Sequence, residues 1–138
     1  MTLLDTNVVI DAHNPLGRYQ EWARDLISIA VLNAGAAISA ITLAELYAGP
    51  REGETIEEDM RQTGVKIVDV PVAAAAICGR AYSHYREARR RSRGGEAPAT
   101  PLPDFFIGAH AELMGWKLAT RDPDRIRTYF PLVSLLEP

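Results

Sequence analysis

The sequence predicts an α/β sandwich in which helices cover both faces of a mainly parallel sheet of four to five strands. Three observations lead to this prediction. Short apolar runs alternate with helical segments along the chain, the runs are apolar at successive positions, and glycine or proline often separates the segments. With 138 residues, 47% of them hydrophobic, the chain can bury a core, and we expect a single domain over residues 1–138.

The first half of the chain carries three of the predicted strands. The run TLL at residues 2–4 is the first. From Arg18 onward, apolar residues recur at intervals of three and four, the pattern of an amphipathic helix, and Gly35 marks its end. The other elements predicted in this half are a strand at 36–40, a short helix at 42–49, a polar helix at 52–64 and a strand at 66–70.

The second half begins with a long helix whose apolar residues come early and whose arginines come late. A loop rich in glycine and proline follows it. The elements predicted in this half are the helix at 72–92, the loop at 94–103, a helix at 104–115, a strand at 117–120, a short helix at 122–130 and a last strand within 132–136.

Composition excludes several classes of protein. The net charge of −3 argues against a polycation that binds nucleic acid by charge alone. No apolar stretch is long enough to cross a membrane, and no basic leader precedes an apolar segment at the N-terminus. The lone cysteine, Cys78, cannot form an intrachain disulfide, which fits a reducing compartment. We therefore expect a cytoplasmic protein.

Four acidic residues lie where predicted strands end or helices begin. Asp5 ends the first strand, Glu45 is in the first turn of the helix after the second, Asp104 opens the helix after the loop, and Asp122 follows the fourth strand. The carboxyl ends of parallel strands share one edge of a sheet, where ligands gather. These four acids can therefore meet at one place.

Each acid also has a structural interpretation. Asp5 and Asp122 can cap the helices that follow them. Thr42 and Glu45 have the spacing of a capping box, and Asp104 complements a helix dipole. A cap can use one carboxylate oxygen and leave the other free, so capping and ligand binding are compatible.

The four acids together favour a metal site. Carboxylates pressed together raise one another's pKa unless a cation lies among them. Oxygen ligands without a set of His and Cys suit Mg²⁺ or Mn²⁺ rather than zinc. A site of this kind supports metal-assisted hydrolysis of a phosphodiester.

The segments LLDTNVVID, ISAITLAEL, PLPDFFIGAHA and LATRDPDRIRTYFP resemble, in order and spacing, the four motif regions of PIN-domain ribonucleases, in particular the VapC toxins of bacterial toxin–antitoxin pairs. The resemblance extends from Leu3 to Leu135 and implies a PIN-like three-layer sandwich. It implies that the catalytic acids are Asp5, Glu45, Asp104 and Asp122, that Asp5, Asp104 and Asp122 bind the metal, and that Asn7 and Thr120 support them. Asp124 is a possible alternative to Asp122, and Asp11 is expected to lie outside the site.

The resemblance further implies an endoribonuclease toxin of a type II system that requires Mg²⁺ or Mn²⁺ and leaves a 5′-phosphate and a 3′-hydroxyl. Its RNA substrate would be tRNA, rRNA or mRNA. The implied partners are a second copy of the chain and a VapB-like antitoxin that blocks the site. The alternative is a non-catalytic PIN-fold module that binds RNA or protein. A dehalogenase-like phosphatase is disfavoured because the first strand ends in D-T-N rather than D-x-D.

Arginines make up thirteen of the fifteen basic residues, and five of them lie between Arg86 and Arg93. Arginine binds phosphate in a bidentate manner, but arginines at a helix C-terminus also simply suit the helix dipole. Both interpretations stay open for this run. The possible substrate-binding residues are Arg121, Arg89, Arg90 and Arg91.

Overall fold

The computed structural model describes residues 1–50, 55–93 and 102–138, apart from the side chain of Arg93. In these ranges strands and helices alternate as predicted. Their bounds are β1 Thr2–Leu4, α1 Thr6–Ala12, α2 Gln20–Leu32, β2 Ala36–Ser39, α3 Ala40–Ala48, α4 Ile56–Thr63, β3 Lys66–Val68, α5 Ala74–Arg93, α6 Leu102–Met114, β4 Lys117–Ala119, α7 Pro123–Tyr129 and β5 Leu135–Leu136.

The five strands form one sheet in the order β3-β2-β1-β4-β5, and every neighbouring pair is parallel. In the central strand β1, Leu3 lies opposite Ala37 of β2 on one side and Leu118 of β4 on the other. The chain builds the sheet outward from β1 through β2 to β3, and β4 then returns to the opposite side of β1. The boundary between β1 and β4 is therefore the topological switch point, where open α/β sheets place their ligands.

Helices cover both faces of the sheet. Leu3 and Leu118 point to one face and pack with residues of α5, α6 and α7, among them Phe105. Leu4 and Ala119, their neighbours in sequence, point to the other face and pack with residues of α1 to α4. Because β1 and β2 are buried on both faces, they are apolar at successive positions, as at Leu3 and Leu4 in β1 and at residues 36–38 in β2. The predicted α/β sandwich is confirmed.

Several predicted boundaries differ from the structure. The third helix begins at Ala40, two residues early, because Ser39 ends β2 and caps it, accepting a hydrogen bond of 3.3 Å from the Thr42 amide. Helix α6 begins at Leu102, so the end of the predicted loop is helical. The remainder of that loop, 94–101, and residues 52–54 of the predicted polar helix lie outside the described residues.

The end of the polar helix is as predicted. Gly64 follows α4 with φ of +79°, a left-handed conformation that glycine adopts without strain. In the ranges that the structure describes, none of the helices combines the length and the apolar character needed to cross a bilayer.

Candidate functional site

The four acids predicted from strand ends lie around one pocket at the carboxyl edge of the sheet. The pocket encloses about 290 Å³ beside the β1–β4 switch point. Its lining residues are Asp5, Thr6, Asn7, Ile10, Glu45, Asp104, Ile107, Leu118, Arg121, Asp122, Arg125 and Ile126. The structure thus brings together all four acids, while their catalytic and metal-binding roles stay a prediction.

Asp5 both caps α1 and faces the pocket. Its Oδ1 accepts a hydrogen bond of 2.8 Å from the Thr6 amide. Its Oδ2 accepts hydrogen bonds from the side-chain Nδ2 of Asn7 at 2.9 Å and from the Thr120 hydroxyl at 2.7 Å. Capping therefore uses Oδ1 alone, and Oδ2 is occupied by Asn7 and Thr120, the two residues expected to support Asp5. Since each carboxylate oxygen has two lone pairs, one on Oδ1 is still available for a ligand.

The environment of Asp5 opposes its negative charge. Burial raises the pKa of the Asp5 carboxyl, and the nearby charges of Asp104 and Glu45 raise it further. Hydrogen bonds from Thr120 and Thr6 act in the opposite direction. Like charges at a buried carboxylate are unfavourable unless a cation compensates them, so the electrostatics of the pocket favour a bound cation.

Glu45 is held by Thr6, and it is not part of a capping box. It lies in the second turn of α3, and its Oε2 accepts a hydrogen bond from the Thr6 hydroxyl. The predicted pairing of Glu45 with Thr42 is wrong because the helix starts at Ala40 and Ser39 supplies the cap. Thr6, which the sequence analysis did not single out, therefore joins α1 to α3 at the wall of the pocket.

Asp104 forms an ion pair inside the pocket. It lies in the first turn of α6, as predicted, and its Oδ2 accepts a hydrogen bond from Nη1 of Arg125 in α7. The Arg125 guanidinium lies 5.8 Å from the ring centre of Phe105 and 6.0 Å from that of Tyr85. Arg125 thus brings a positive charge among the four acids.

Thr120 and Asn7 connect the ends of β4 and β1. The Thr120 hydroxyl, which donates to Asp5, also accepts a hydrogen bond of 3.0 Å from the Asp122 amide. The Asn7 side chain donates to Asp5 and accepts a bond of 3.1 Å from the Arg121 amide. These bonds fix the backbone that carries Asp122 relative to Asp5.

Asp122 and Asp124 differ in position. Asp122 occupies the N-cap position of α7, but its exposed side chain makes no capping hydrogen bond, so the predicted cap is absent and the carboxylate faces the pocket. The Asp124 side chain is 95% exposed, lies 3.6 Å from Arg127 and does not line the pocket. The geometry favours Asp122 over Asp124 as the fourth acid.

The arginines have different surroundings. Arg121 lines the pocket, and its guanidinium contacts the buried carboxylate of Asp11. Arg90 and Arg91 are exposed on α5, and Arg91 pairs with Glu87 at 2.5 Å. Arg89 is half-buried, and neither it nor its two neighbours line the pocket. Of the four arginines considered for substrate binding, the structure places only Arg121 beside the acids.

The chemistry of the pocket fits a hard divalent cation, since it offers carboxylate oxygens and no His or Cys. In the part of the chain that the structure describes, however, no three His, Cys, Asp or Glu side chains are grouped closely enough to hold an ion. Arg125 engages Asp104 and Thr6 engages Glu45. A cation site therefore requires rearrangement of side chains within the pocket.

Comparisons with known proteins agree with this fold. The model of the PIN domain family matches residues 2–131. A search by sequence against curated proteins finds no significant match. The fold is similar to a chain of VapBC2 from Rickettsia felis bound to promoter DNA, with a TM-score of 0.68, 20% identity and coverage of 99% of this chain and 97% of that one. It is also similar to a chain of FitAcB from Neisseria gonorrhoeae (TM-score 0.64, 26% identity, coverage 100% and 98%) and of a toxin–antitoxin complex from Klebsiella pneumoniae (TM-score 0.61, 25% identity, coverage 100% of both). Since the family model spans nearly the whole sequence, the chain belongs to the PIN domain family.

Proposed function

We propose that this protein is the toxin of a type II toxin–antitoxin pair, of the VapC kind, and that it acts as an endoribonuclease dependent on Mg²⁺ or Mn²⁺. The observation that carries the proposal is the convergence of four acids from separate segments on one pocket at the β1–β4 switch point of a PIN domain. In this proposal the substrate is tRNA, rRNA or mRNA, and the protein acts in the cytoplasm as a homodimer.

The similar structures support the toxin role and the partner. They belong to complexes described as VapBC, FitAcB and a toxin–antitoxin pair. These complexes suggest a VapB-like antitoxin as the partner of this chain, and in our proposal that antitoxin covers the acidic pocket.

The residues of the pocket have distinct roles in the proposed reaction. Asp5, Asp104 and Asp122 would hold the cation, and Asp104 would do so in place of its ion pair with Arg125. Asn7 and Thr120 keep Asp5 in place through the hydrogen bonds to its Oδ2. When bound, the metal polarises the phosphate, lowers the pKa of a water molecule and stabilises the leaving oxygen.

Glu45 contributes the fourth carboxylate. The Thr6 hydroxyl donates to its Oε2, which leaves Oε1 available to a water molecule in the pocket. Because the bond from Thr6 fixes the side chain against the wall, Glu45 orients water without having to bind the cation itself.

RNA cleavage by the purified protein tests the proposal. We expect total cellular RNA to be cut in Mg²⁺ or Mn²⁺ and to stay intact in a chelator. Asp5→Asn and Asp104→Asn should abolish cleavage because each removes a charged ligand. Asp25→Asn, which removes one charge from an exposed position on α2, is the matched control and should cut like the wild type. Equal cleavage by Asp5→Asn and Asp25→Asn would show that the site is elsewhere.

The toxin role needs a separate test in cells. Induction of the chain should arrest growth, Asp5→Asn should not, and co-expression of a VapB-like antitoxin encoded beside the gene should restore growth. Growth arrest that persists with Asp5→Asn would contradict a toxin that acts by cleavage.

The alternative is a non-catalytic PIN module that binds RNA or protein. One observation favours it: Asp104 is paired with Arg125, and the described acids do not form a closed metal site. This alternative predicts RNA binding without cleavage at any concentration of Mg²⁺ or Mn²⁺. The cleavage assay therefore separates the two functions.

A further inference from the structure

Asp11 is a buried carboxylate whose partner in the structure is the guanidinium of Arg121. It lies on α1 with 4% of its surface exposed. Nη1 of Arg121 donates to its Oδ1 at 2.9 Å, and within the described residues its Oδ2 has no hydrogen-bond partner. A buried charge is costly unless it is paired, so Asp11 ties the Arg121 side chain firmly to α1.

An aromatic ring supports the same guanidinium. Cζ of Arg121 lies 5.4 Å from the ring centre of Tyr19, and Cζ of Arg18 lies 5.3 Å from it. Cations at this distance from a tyrosine ring are attracted to it. Two arginines that are 103 positions apart in the sequence (121 against 18) thus contact one ring, and Arg121 also lines the pocket.

The position of Arg121 relative to the acids is also fixed. Its backbone amide donates to the Asn7 side chain, which in turn donates to Asp5. The guanidinium lines the acidic pocket, and 42% of the side chain is exposed. Both ends of Arg121, backbone and side chain, are therefore held by α1, next to the predicted metal ligand.

An RNA strand bound at the acidic pocket needs a positive charge next to the four acids. Four carboxylates repel the phosphates that flank the one being cut, and a cation at the centre compensates only locally. A guanidinium has five N–H donors, and Asp11 uses one, so Arg121 keeps a side able to bind phosphate. Arg18 is exposed and, because it contacts the same Tyr19 ring, adds a second positive charge near Arg121.

We propose that Arg121 and Arg18 form a phosphate-binding rim on the acidic pocket, that this rim holds the RNA backbone next to the scissile bond, and that Asp11 is the positioning residue that keeps Arg121 in place. The inference rests on the proposed function, because it names the contact that delivers RNA to the acidic pocket. The Tyr19 ring contacts both guanidinium groups.

Binding measured without cleavage tests the rim. A short, fluorescein-labelled single-stranded RNA of mixed sequence is titrated with protein in a chelator, and fluorescence anisotropy is recorded at several salt concentrations. We expect Arg121→Gln and Arg18→Gln each to weaken binding about tenfold, the effect of losing one phosphate contact. Each should also reduce the slope of log affinity against log salt by about 0.7. Arg61→Gln removes one charge from an exposed position on α4 and is the matched control.

The positioning role of Asp11 is tested by combining substitutions. Asp11→Asn keeps the charge of Arg121 but loses the ionic anchor, so KM for RNA should rise while kcat stays near the wild-type value. In the Arg121→Gln background, Asp11→Asn should change KM no further, because the residue that it positions is already gone. A purely structural Asp11 would instead alter KM by the same factor in both backgrounds.

The double variant is a control for misfolding of the single variant Arg121→Gln. Arg121→Gln alone leaves Asp11 buried without its cation, whereas Asp11→Asn/Arg121→Gln leaves no unpaired charge, so its loss of RNA binding cannot be assigned to a buried charge. If the wild type cleaves RNA and the double variant binds RNA as tightly as Arg61→Gln does, the proposed phosphate-binding rim is refuted, but the proposed endoribonuclease function is not. If the wild type neither binds nor cleaves RNA, the proposed function and the rim are both overturned.

Discussion

Gly108 lies where helix α6 meets the aromatic ring of Phe130, and replacing it with alanine tests how closely the two are packed. A Cβ at position 108 would lie 2.5 Å from both Cδ2 and Cε2 of Phe130 and 3.0 Å from its Cγ. Ordinary contacts begin near 3.4 Å, so the new methyl group is about 1 Å too close. Phe130 is only 1% exposed and its ring lies 6.0 Å from that of Phe105, so the ring has little room to move away.

The expected effect is the difference between two opposing contributions. Overpacking a core costs about 1–3 kcal/mol, and a rigid aromatic neighbour places this site toward the upper end. Within a helix, alanine is more favourable than glycine by about 1 kcal/mol in helix propensity. The free energy of unfolding of Gly108→Ala should therefore be about 1–2 kcal/mol lower than that of the wild type. Urea unfolding followed by far-ultraviolet circular dichroism measures it.

Gly79 provides the matched control, since it is also a helical glycine but a Cβ there would meet nothing within 4 Å. Gly79→Ala should raise the free energy of unfolding by up to about 1 kcal/mol. In the Gly108→Ala background, Phe130→Leu should restore part of the loss by making room. If both alanine variants were equally stabilised, the close approach of α6 to Phe130 would be refuted.

Three further predictions concern the acidic pocket. Burial and neighbouring charges raise the folded-state pKa of Asp5 above its usual value of 3.8, so the folded protein binds this proton more tightly than the unfolded chain does. The free energy of unfolding of the wild type should therefore fall as pH rises from 3.8 through the folded-state pKa. Asp5→Asn has no such carboxyl, so its free energy of unfolding in chelator should increase relative to that of the wild type over the same interval. A difference between the two that did not depend on pH would contradict the raised pKa. Thr120→Val removes the donor to Asp5 and the acceptor of the Asp122 amide, and should lower the free energy of unfolding by about 1–3 kcal/mol in urea titrations. Thr128→Val, at an exposed site on α7, should change it by less than about 0.5 kcal/mol. Mg²⁺ or Mn²⁺ should raise the Tm of the wild type in thermal unfolding, as a ligand of the folded state does, and should raise that of Asp104→Asn much less; equal shifts would argue against Asp104 as a ligand.

The fold was largely predictable because its strands are buried on both faces. Leu3 and Leu4 of β1 are apolar at successive positions, and so are Leu118 and Ala119 of β4. This pattern is typical of strands in a sheet that helices cover on both faces. The start of α3 was not predictable in the same way. Ala40 and Ile41 continue the apolar run of β2, so the apolar pattern could not show that Ser39, rather than Thr42, caps this helix.

The positions of the acids were predictable, and the resemblance also implied Asn7 and Thr120 beside Asp5, whereas the arginine partners of the acids were not predictable. Strand ends in a parallel sheet share one edge, so Asp5 and Asp122 could be placed near each other from topology. The ion pairs of Asp104 with Arg125 and of Asp11 with Arg121 join residues 21 and 110 positions apart. Contacts over such distances have no local spacing that reveals them. Asp11 was expected to lie outside the site because it is further along α1, and its ion pair with Arg121 was not predicted.

The order of the strands has a consequence for synthesis of the chain. β1 is translated first, but β4, its neighbour in the sheet, is translated more than a hundred residues later. Until Lys117–Ala119 has left the ribosome, one edge of β1 is unpaired, and neither the Thr120 hydroxyl nor Asp122 can reach Asp5. A nascent or truncated chain that ends before β4 therefore lacks the complete acidic pocket, and the ribosome has released almost the whole domain before that pocket can form.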